Sequence, residues 1–259
     1  MKHTILLIIL LASLPDIVTC QEQQPPGIIH LFSYEIGANY LKEENLVPVV
    51  HKGPIQLLTY RFEKQGKNYN EITVSLGYSR IKAEPETEKV SQNIQFRFGY
   101  CSDFHIVKRA KFNYYLGFNM SYAYSLVEFP VWDESRAYWG SSLTLGVSNR
   151  MIFDMKENQK WYFSWDIHPM GLYSRPDEVR LYAQEEWTFS NIIKTTNSNL
   201  KLGFVDNILL SYFRTEYRLI TKKDRYIALQ YSLSYSRIQK ANEGPLQDCI
   251  NSFGISIGF

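Results

Sequence analysis

Along most of this chain apolar and polar residues trade places one by one. In FNYYLGFNMSYAY, Phe112, Tyr114, Leu116, Phe118, Met120, Tyr122 and Tyr124 share one parity, and Asn113, Tyr115, Gly117, Asn119, Ser121 and Ala123 the other. NIQFRFGY sets Ile94, Phe96, Phe98 and Tyr100 against Asn93, Gln95, Arg97 and Gly99. YIALQYSLSYSR, WYFSWDIH, ITVSLGYS and SSLTLGVS obey the same rule. A period of two is the signature of a β-strand with one apolar face. The pattern predicts an all-β chain with twelve strands, at 29–40, 54–63, 71–81, 92–101, 111–125, 140–152, 160–170, 178–190, 199–205, 208–220, 225–238 and 249–259. No helical period of useful length, fixed-spacing repeat or linker-like shift interrupts them, so 28–259 reads as one domain.

Two architectures fit such strands: a soluble β-sandwich, or a barrel whose apolar face meets lipid. Several patterns run about eleven residues, beyond the 5–6 of an ordinary globular strand. At roughly 3.3 Å per residue and a tilt near 40°, that length rises about 25 Å, the height of an outer-membrane apolar band. The face opposite the apolar one is mostly Ser, Gly, Asn, Thr and Gln, which suits a narrow lumen better than a solvated surface. Aromatic residues lie near strand ends, at Tyr34, Tyr40, Tyr60, Tyr78, Tyr100, Trp161 and Tyr235, as interfacial girdles do.

Composition narrows the choice. The 259 residues are 45% hydrophobic and 15% aromatic, and mean hydropathy is −0.27, which excludes a helical membrane protein but not a barrel. A net charge of +2 without a Lys/Arg cluster gives no reason to expect a nucleic-acid partner. Lys2 and His3 precede TILLIILLASL, an apolar run too short to span a bilayer. Residues 1–20 read as a secretory signal cleaved before Gln21, with IVTC and a lipidated Cys20 as the rival reading, and 21–27 as a polar lead-in.

The chain ends SFGISIGF, with Phe253, Ile255, Ile257 and Phe259 alternating with small residues. The leader, the aromatic strands and this ending together resemble a small outer-membrane β-barrel protein of a Gram-negative bacterium, Bacteroidota-like in its mature Gln21; no subfamily is identified. The resemblance implies an antiparallel up-and-down transmembrane barrel in the outer membrane, with Phe253, Ile255, Ile257 and Phe259 as the assembly signal. It implies outer-membrane lipid and the outer-membrane assembly machinery as partners, and an even strand number. Twelve is the expected count, or ten if 178–207 is an external excursion. KQGKNYN, SDFHIVKRAK, MKENQK, KTTNSN and TKKDR become periplasmic turns; LKEENLVPVVHKG, KAEPETEKV, EFPVWDESRAYWG, YSRPDE and KANEGPLQD become outer loops.

Strand parity then assigns a lumen charge network of Glu35, Arg61, Glu63, Arg97, Arg150, Asp166, His168, Arg180, Glu186, Arg214, Glu216 and Arg218. Mixed signs in a narrow barrel pair with one another, because an unpaired buried charge is costly. The excess of Arg over carboxylate points to an anion if a small solute enters. Glu185 falls on the lipid-side parity, which calls for a bulge or an interfacial position. Ser164, Asp166 and His168 share the residue types of a hydrolytic triad. Straight i, i+2, i+4 spacing along one strand spreads them rather than stacking them into a relay. Catalytic residues, cofactors and metal ligands are therefore expected to be none: the five His residues lack partner spacing. The expected function is a non-enzymatic barrel with a narrow polar lumen that passes or binds a small solute. Alternatives are an outer-membrane lipid hydrolase or acyl-modifying enzyme, and a structural barrel that binds partners through its outer loops. Cys101 and Cys249 are expected at opposite rims and unpaired, with Cys249 the one open to the cell exterior.

Overall fold

The computed structural model describes residues 27–44, 47–66, 68–83, 90–128, 137–175, 200–221, 225–239 and 244–259. The leader, Arg180, Glu185, Glu186, the expected strand 178–190 and the hearts of four expected outer loops lie outside these residues.

Eleven strands follow in chain order: β1 Ile28–Glu43, β2 Val47–Gln65, β3 Asn68–Ala83, β4 Ser91–Arg109, β5 Phe112–Glu128, β6 Ala137–Lys156, β7 Gln159–Ser174, β8 Lys201–Phe204, β9 Ile208–Ile220, β10 Tyr226–Ile238 and β11 Leu246–Gly258. Each of β1 to β7 pairs antiparallel with the next. β7 then pairs β9, β9 pairs β10, β10 pairs β11, and β11 returns to β1. Ten strands therefore close one ring, and closure leaves no edge within it. A single closed sheet replaces the sandwich alternative.

The expected count of twelve is corrected to the alternative of ten barrel strands, with one further strand outside the ring. The stretch expected as a stave at 199–205 is β8, four residues paired with Met170–Tyr173 of β7 beyond the point where β9 leaves it. Four residues rise about 13 Å, roughly half an apolar band, so β8 cannot serve as a stave. The strands themselves are longer than expected. β4 continues past Cys101 to Arg109 through a register shift at His105/Val107, and β2 begins at Val47. SDFHIVKRAK and LKEENLVPVVHKG are thus mostly strand, not turn and loop. On β4 the alternation lapses at Ser102 and resumes outward at Phe104 and Ile106, while the ladder to β5 runs on to Arg109.

Alternation sorts the side chains by face. On β1, Leu31, Ser33 and Glu35 are buried, while Phe32, Tyr34 and Ile36 are exposed. Leu58, Leu76, Phe118, Trp165, Leu229 and Phe253 continue the exposed apolar band around the wall. Large apolar residues outside and Arg, Glu, Asn and Ser inside invert the plan of a soluble protein. β11 is held on both sides, and its ladder reaches the last residue: Phe259 N–H donates to His30 O at 3.0 Å, and His30 N–H to Phe259 O at 2.9 Å. The Phe259 ring stacks on His30 and Phe32.

Candidate functional site

The lumen is layered. On the side of the short turns, near the start of β1, Ile29, Leu31, Ile220 and Tyr226 pack together. Tyr69, Cys101, Tyr115, Ile152 and Tyr162 form a second apolar cluster. These side chains take the inward parity and pack against one another in the bore.

Next to this floor lies a layer of ion pairs. Arg218 reaches Glu63 with two nitrogens, at 2.6 and 2.8 Å, and Glu216 with its Nε at 2.8 Å. Arg61 joins the same carboxylates, Glu216 at 2.8 Å and Glu63 at 3.1 Å. Glu71 takes Arg150 at 2.7 Å and Arg214 at 2.7 and 3.2 Å. Arg150 Nε also donates to Asp103 at 3.1 Å. The Arg150 guanidinium lies over the Tyr69 ring and that of Arg218 over Tyr162, each 3.8 Å from the centroid, so the floor supports the layer by cation–π contact. Four arginines meet four carboxylates, and the layer is neutral.

Toward the loop-side ends of the strands the polar groups become uncharged partners of isolated carboxylates. Ser232 and Ser252 donate to Glu35, the latter at 2.7 Å. Ser256 donates to Gln230 at 2.7 Å and meets Ser33 at 2.7 Å. Higher up, Asn39 and Gln95 donate their amides to Asp248, Gln95 at 2.8 Å. Ser79 and Asn93 donate to Asn39 Oδ1, and Ser125 to Asn93, so this chain of bonds crosses the lumen from β5 to β11. A cavity of about 170 Å³ lies in this upper lumen, lined by the Glu35, Arg97, Asp166, Arg214 and Asp248 side chains among many seryl groups. At the loop-side end stand two more apolar clusters, Leu41–Ile81–Val127–Leu246 and Tyr173–Ile208–Leu210–Ile238.

Most lumen residues named from sequence meet here. Arg61, Glu63, Arg150, Arg214, Glu216 and Arg218 form the ion-pair layer, and Glu35 stands beside it. Arg97 is set apart, its guanidinium 3.1 Å from the Tyr212 ring centroid and its Nε without a partner. His168 Nδ1 contacts Thr144 Oγ1 at 3.1 Å, and its ring meets the edge of Tyr212. Among the described residues no hydrogen bond links Ser164, Asp166 and His168 to one another.

Sequence reasoning missed Glu71, Asp103 and Asp248. Asp103 and Asp248 fall in an expected turn and an expected loop: the outward alternation lapses at Ser102 beside Asp103, and Asp248 stands just before the final alternating stretch. Glu71 begins an expected strand and has the inward parity of Thr73 and Ser75, a signal that was present. With these three added, the charge balance reverses. Arg61, Arg97, Arg150, Arg214 and Arg218 face Glu35, Glu63, Glu71, Asp103, Asp166, Glu216 and Asp248 around the layer and the cavity. Arg175, at the loop-side end, gives its guanidinium to the carbonyls of Ile238 and Gly244. Among the described residues the excess of Arg on which the expectation of an anion rested is therefore absent.

Cys101 and Cys249 are both free, but not where expected. Cys101 lies within β4, inside the wall, 3.1 Å from an Arg150 nitrogen, not at a rim. Cys249 shares the outward parity of Phe253 and sits between Tyr40 and Tyr235, facing the surroundings of the barrel rather than the water above it.

No protein-family model matches the chain, and no characterised protein matches it in sequence. Solved structures resemble it at low identity. The translocator domain of the autotransporter NalP from Neisseria meningitidis is 9% identical, with 92% of this chain and 90% of that chain covered and a TM-score of 0.43. The β-domain of the Bordetella autotransporter BrkA is 8% identical, covering 90% and 99%, with a TM-score of 0.43. Neisserial surface protein A is 9% identical, covering 90% and 99%, with a TM-score of 0.36. Likenesses this distant carry nothing about activity. The chain folds as a β-barrel of outer-membrane type on the strength of its own closed ring and inverted polarity.

Proposed function

We propose that the protein is an integral barrel of the bacterial outer membrane that holds a small solute in its lumen, without catalysing a reaction on it and without conducting solutes from end to end. The outward band of Phe, Leu, Ile and Trp needs lipid, and a closed ring is the one β-architecture a bilayer core accepts. The observation that carries the reading is the neutral ion-pair layer, backed by an apolar floor on one side and bordered by a polar cavity on the other. Removing one partner of such a buried pair costs about 3–5 kcal/mol. A solute crossing the layer would have to part several pairs at once, whereas one that stops in the cavity parts none. The bond from His168 to Thr144 counts against a hydrolase, since Thr144 takes the Nδ1 position that a triad carboxylate would hold.

The purified barrel in a planar bilayer is expected to give no conductance steps, while Glu71→Ala combined with Arg214→Ala opens the layer and yields them. Steady wild-type conductance sinks the sealed-lumen reading. Fractionation with the outer membrane and heat-modifiable gel migration test the location; a mature chain that is a soluble monomer without detergent refutes it.

A further inference from the structure

We infer that the lumen cavity takes a small organic cation, an ammonium or guanidinium carried on a few carbons. This rests on the reading of the lumen as a solute-holding chamber. The ion-pair layer balances itself, so the ionisable side chains left on the cavity wall are Glu35, Asp166, Asp248 and Arg97: three carboxyl groups and one guanidinium. Glu35, only 4% exposed, is held by two seryl hydroxyls, and Asp248 by two carboxamides. Those donors orient a carboxylate but bring it no opposite charge. Asp166 Oδ1 has no hydrogen-bond partner. Arg97 cannot balance all three, and its guanidinium is stacked on Tyr212.

A carboxyl group in such a site without a counter-charge either keeps its proton or draws in a cation. A cation in the cavity supplies that charge where the fold leaves space for it. The lining also includes Leu57, Leu210 and Ile250, so the chamber has apolar wall for a carbon skeleton as well as oxygens for its charged end. A bare hydrated ion would use only half of that surface.

The test is calorimetric titration of the folded barrel in detergent micelles, with empty micelles as the blank and three probes of one size: butylammonium, butyrate and butanol. Saturable binding of butylammonium alone is expected. Glu35→Gln and Asp248→Asn should each weaken it about tenfold or more, whereas the outward-facing Leu58→Ala leaves it unchanged. If Glu35→Gln fails to give the heat-modifiable form, Asp248→Asn decides. Butyrate bound as well as butylammonium, no butylammonium binding, or binding indifferent to the folded variants overturns the inference. Failure of the underlying reading looks different: wild-type conductance in a planar bilayer shows an open lumen, whatever the probes do.

Discussion

Arg218 on β9 and Glu63 on β2 stand 155 residues apart in sequence and meet through two bonds of 2.6 and 2.8 Å inside the barrel. The two strands are not neighbours in the ring, so this pair ties opposite walls together across the bore.

Arg218→Ala should therefore destabilise the barrel by about 3–5 kcal/mol, because it leaves two buried carboxylates, Glu63 and Glu216, to share Arg61 alone. Replacing both partners with apolar residues of similar size, Arg218→Met with Glu63→Leu, should recover much of that loss. Urea unfolding followed by gel mobility in detergent measures both. A double variant no better than the single one would show that the pair does more than neutralise itself.

Glu71 serves Arg150 and Arg214 together, whereas Asp154 meets Lys160 at 3.6 Å at a partly exposed position. Glu71→Gln should cost several times more than Asp154→Asn, whose effect should fall within about 0–1 kcal/mol. Equal losses in parallel melts would place Glu71 in solvent.

The alternation of small and bulky residues made the closed sheet, its polar interior and six of the ion-pair residues legible. Parity is a local property, and every strand displays it. The count was legible only as a choice between twelve and ten, and ten holds: 199–205 alternates like a stave yet is too short to be one once β9 occupies the lower part of β7. Asp103 and Asp248 escaped for a related reason. They point inward from segments whose outward alternation lapses: at Ser102 beside Asp103, before Phe104 and Ile106 resume it, and at Gln247 and Asn251 around Asp248. Which arginine finds which carboxylate across the bore depends on the stagger of the ring, and no single strand records that.

At the seam, Phe259 contributes both a ring and the last rung of the ladder to His30. Phe259→Ala keeps the rung and loses the ring, and should slow assembly several-fold in lipid vesicles. Deleting Phe259 removes two backbone hydrogen bonds as well, each worth about 0.5–1.5 kcal/mol, and should slow it further. Time courses of the heat-modifiable band give the order; identical rates for wild type and both variants contradict it.

The thiols report the wall from both sides. A membrane-impermeant maleimide should label neither Cys101, packed against Arg150, nor the outward-facing Cys249 while the barrel is folded in a membrane. A lipid-soluble maleimide should label Cys249 alone. Mass spectrometry after each treatment reads the outcome; rapid labelling of Cys101 by the impermeant reagent would mean that water and solutes move freely through the floor.

The pairing of β1 with β11, Leu31 against Gly258 through Glu43 against Leu246, makes the first strand wait for the last. Until β11 arrives, β1 and β10 each display a row of unsatisfied N–H and C=O groups beside a greasy outer face, which is the surface on which extended chains stick to one another. The unfinished ring is thus a hazard to its own neighbours. Its safe lifetime is set by how long other molecules can keep two open edges from meeting the wrong partners, and a single late event ends the danger at both edges.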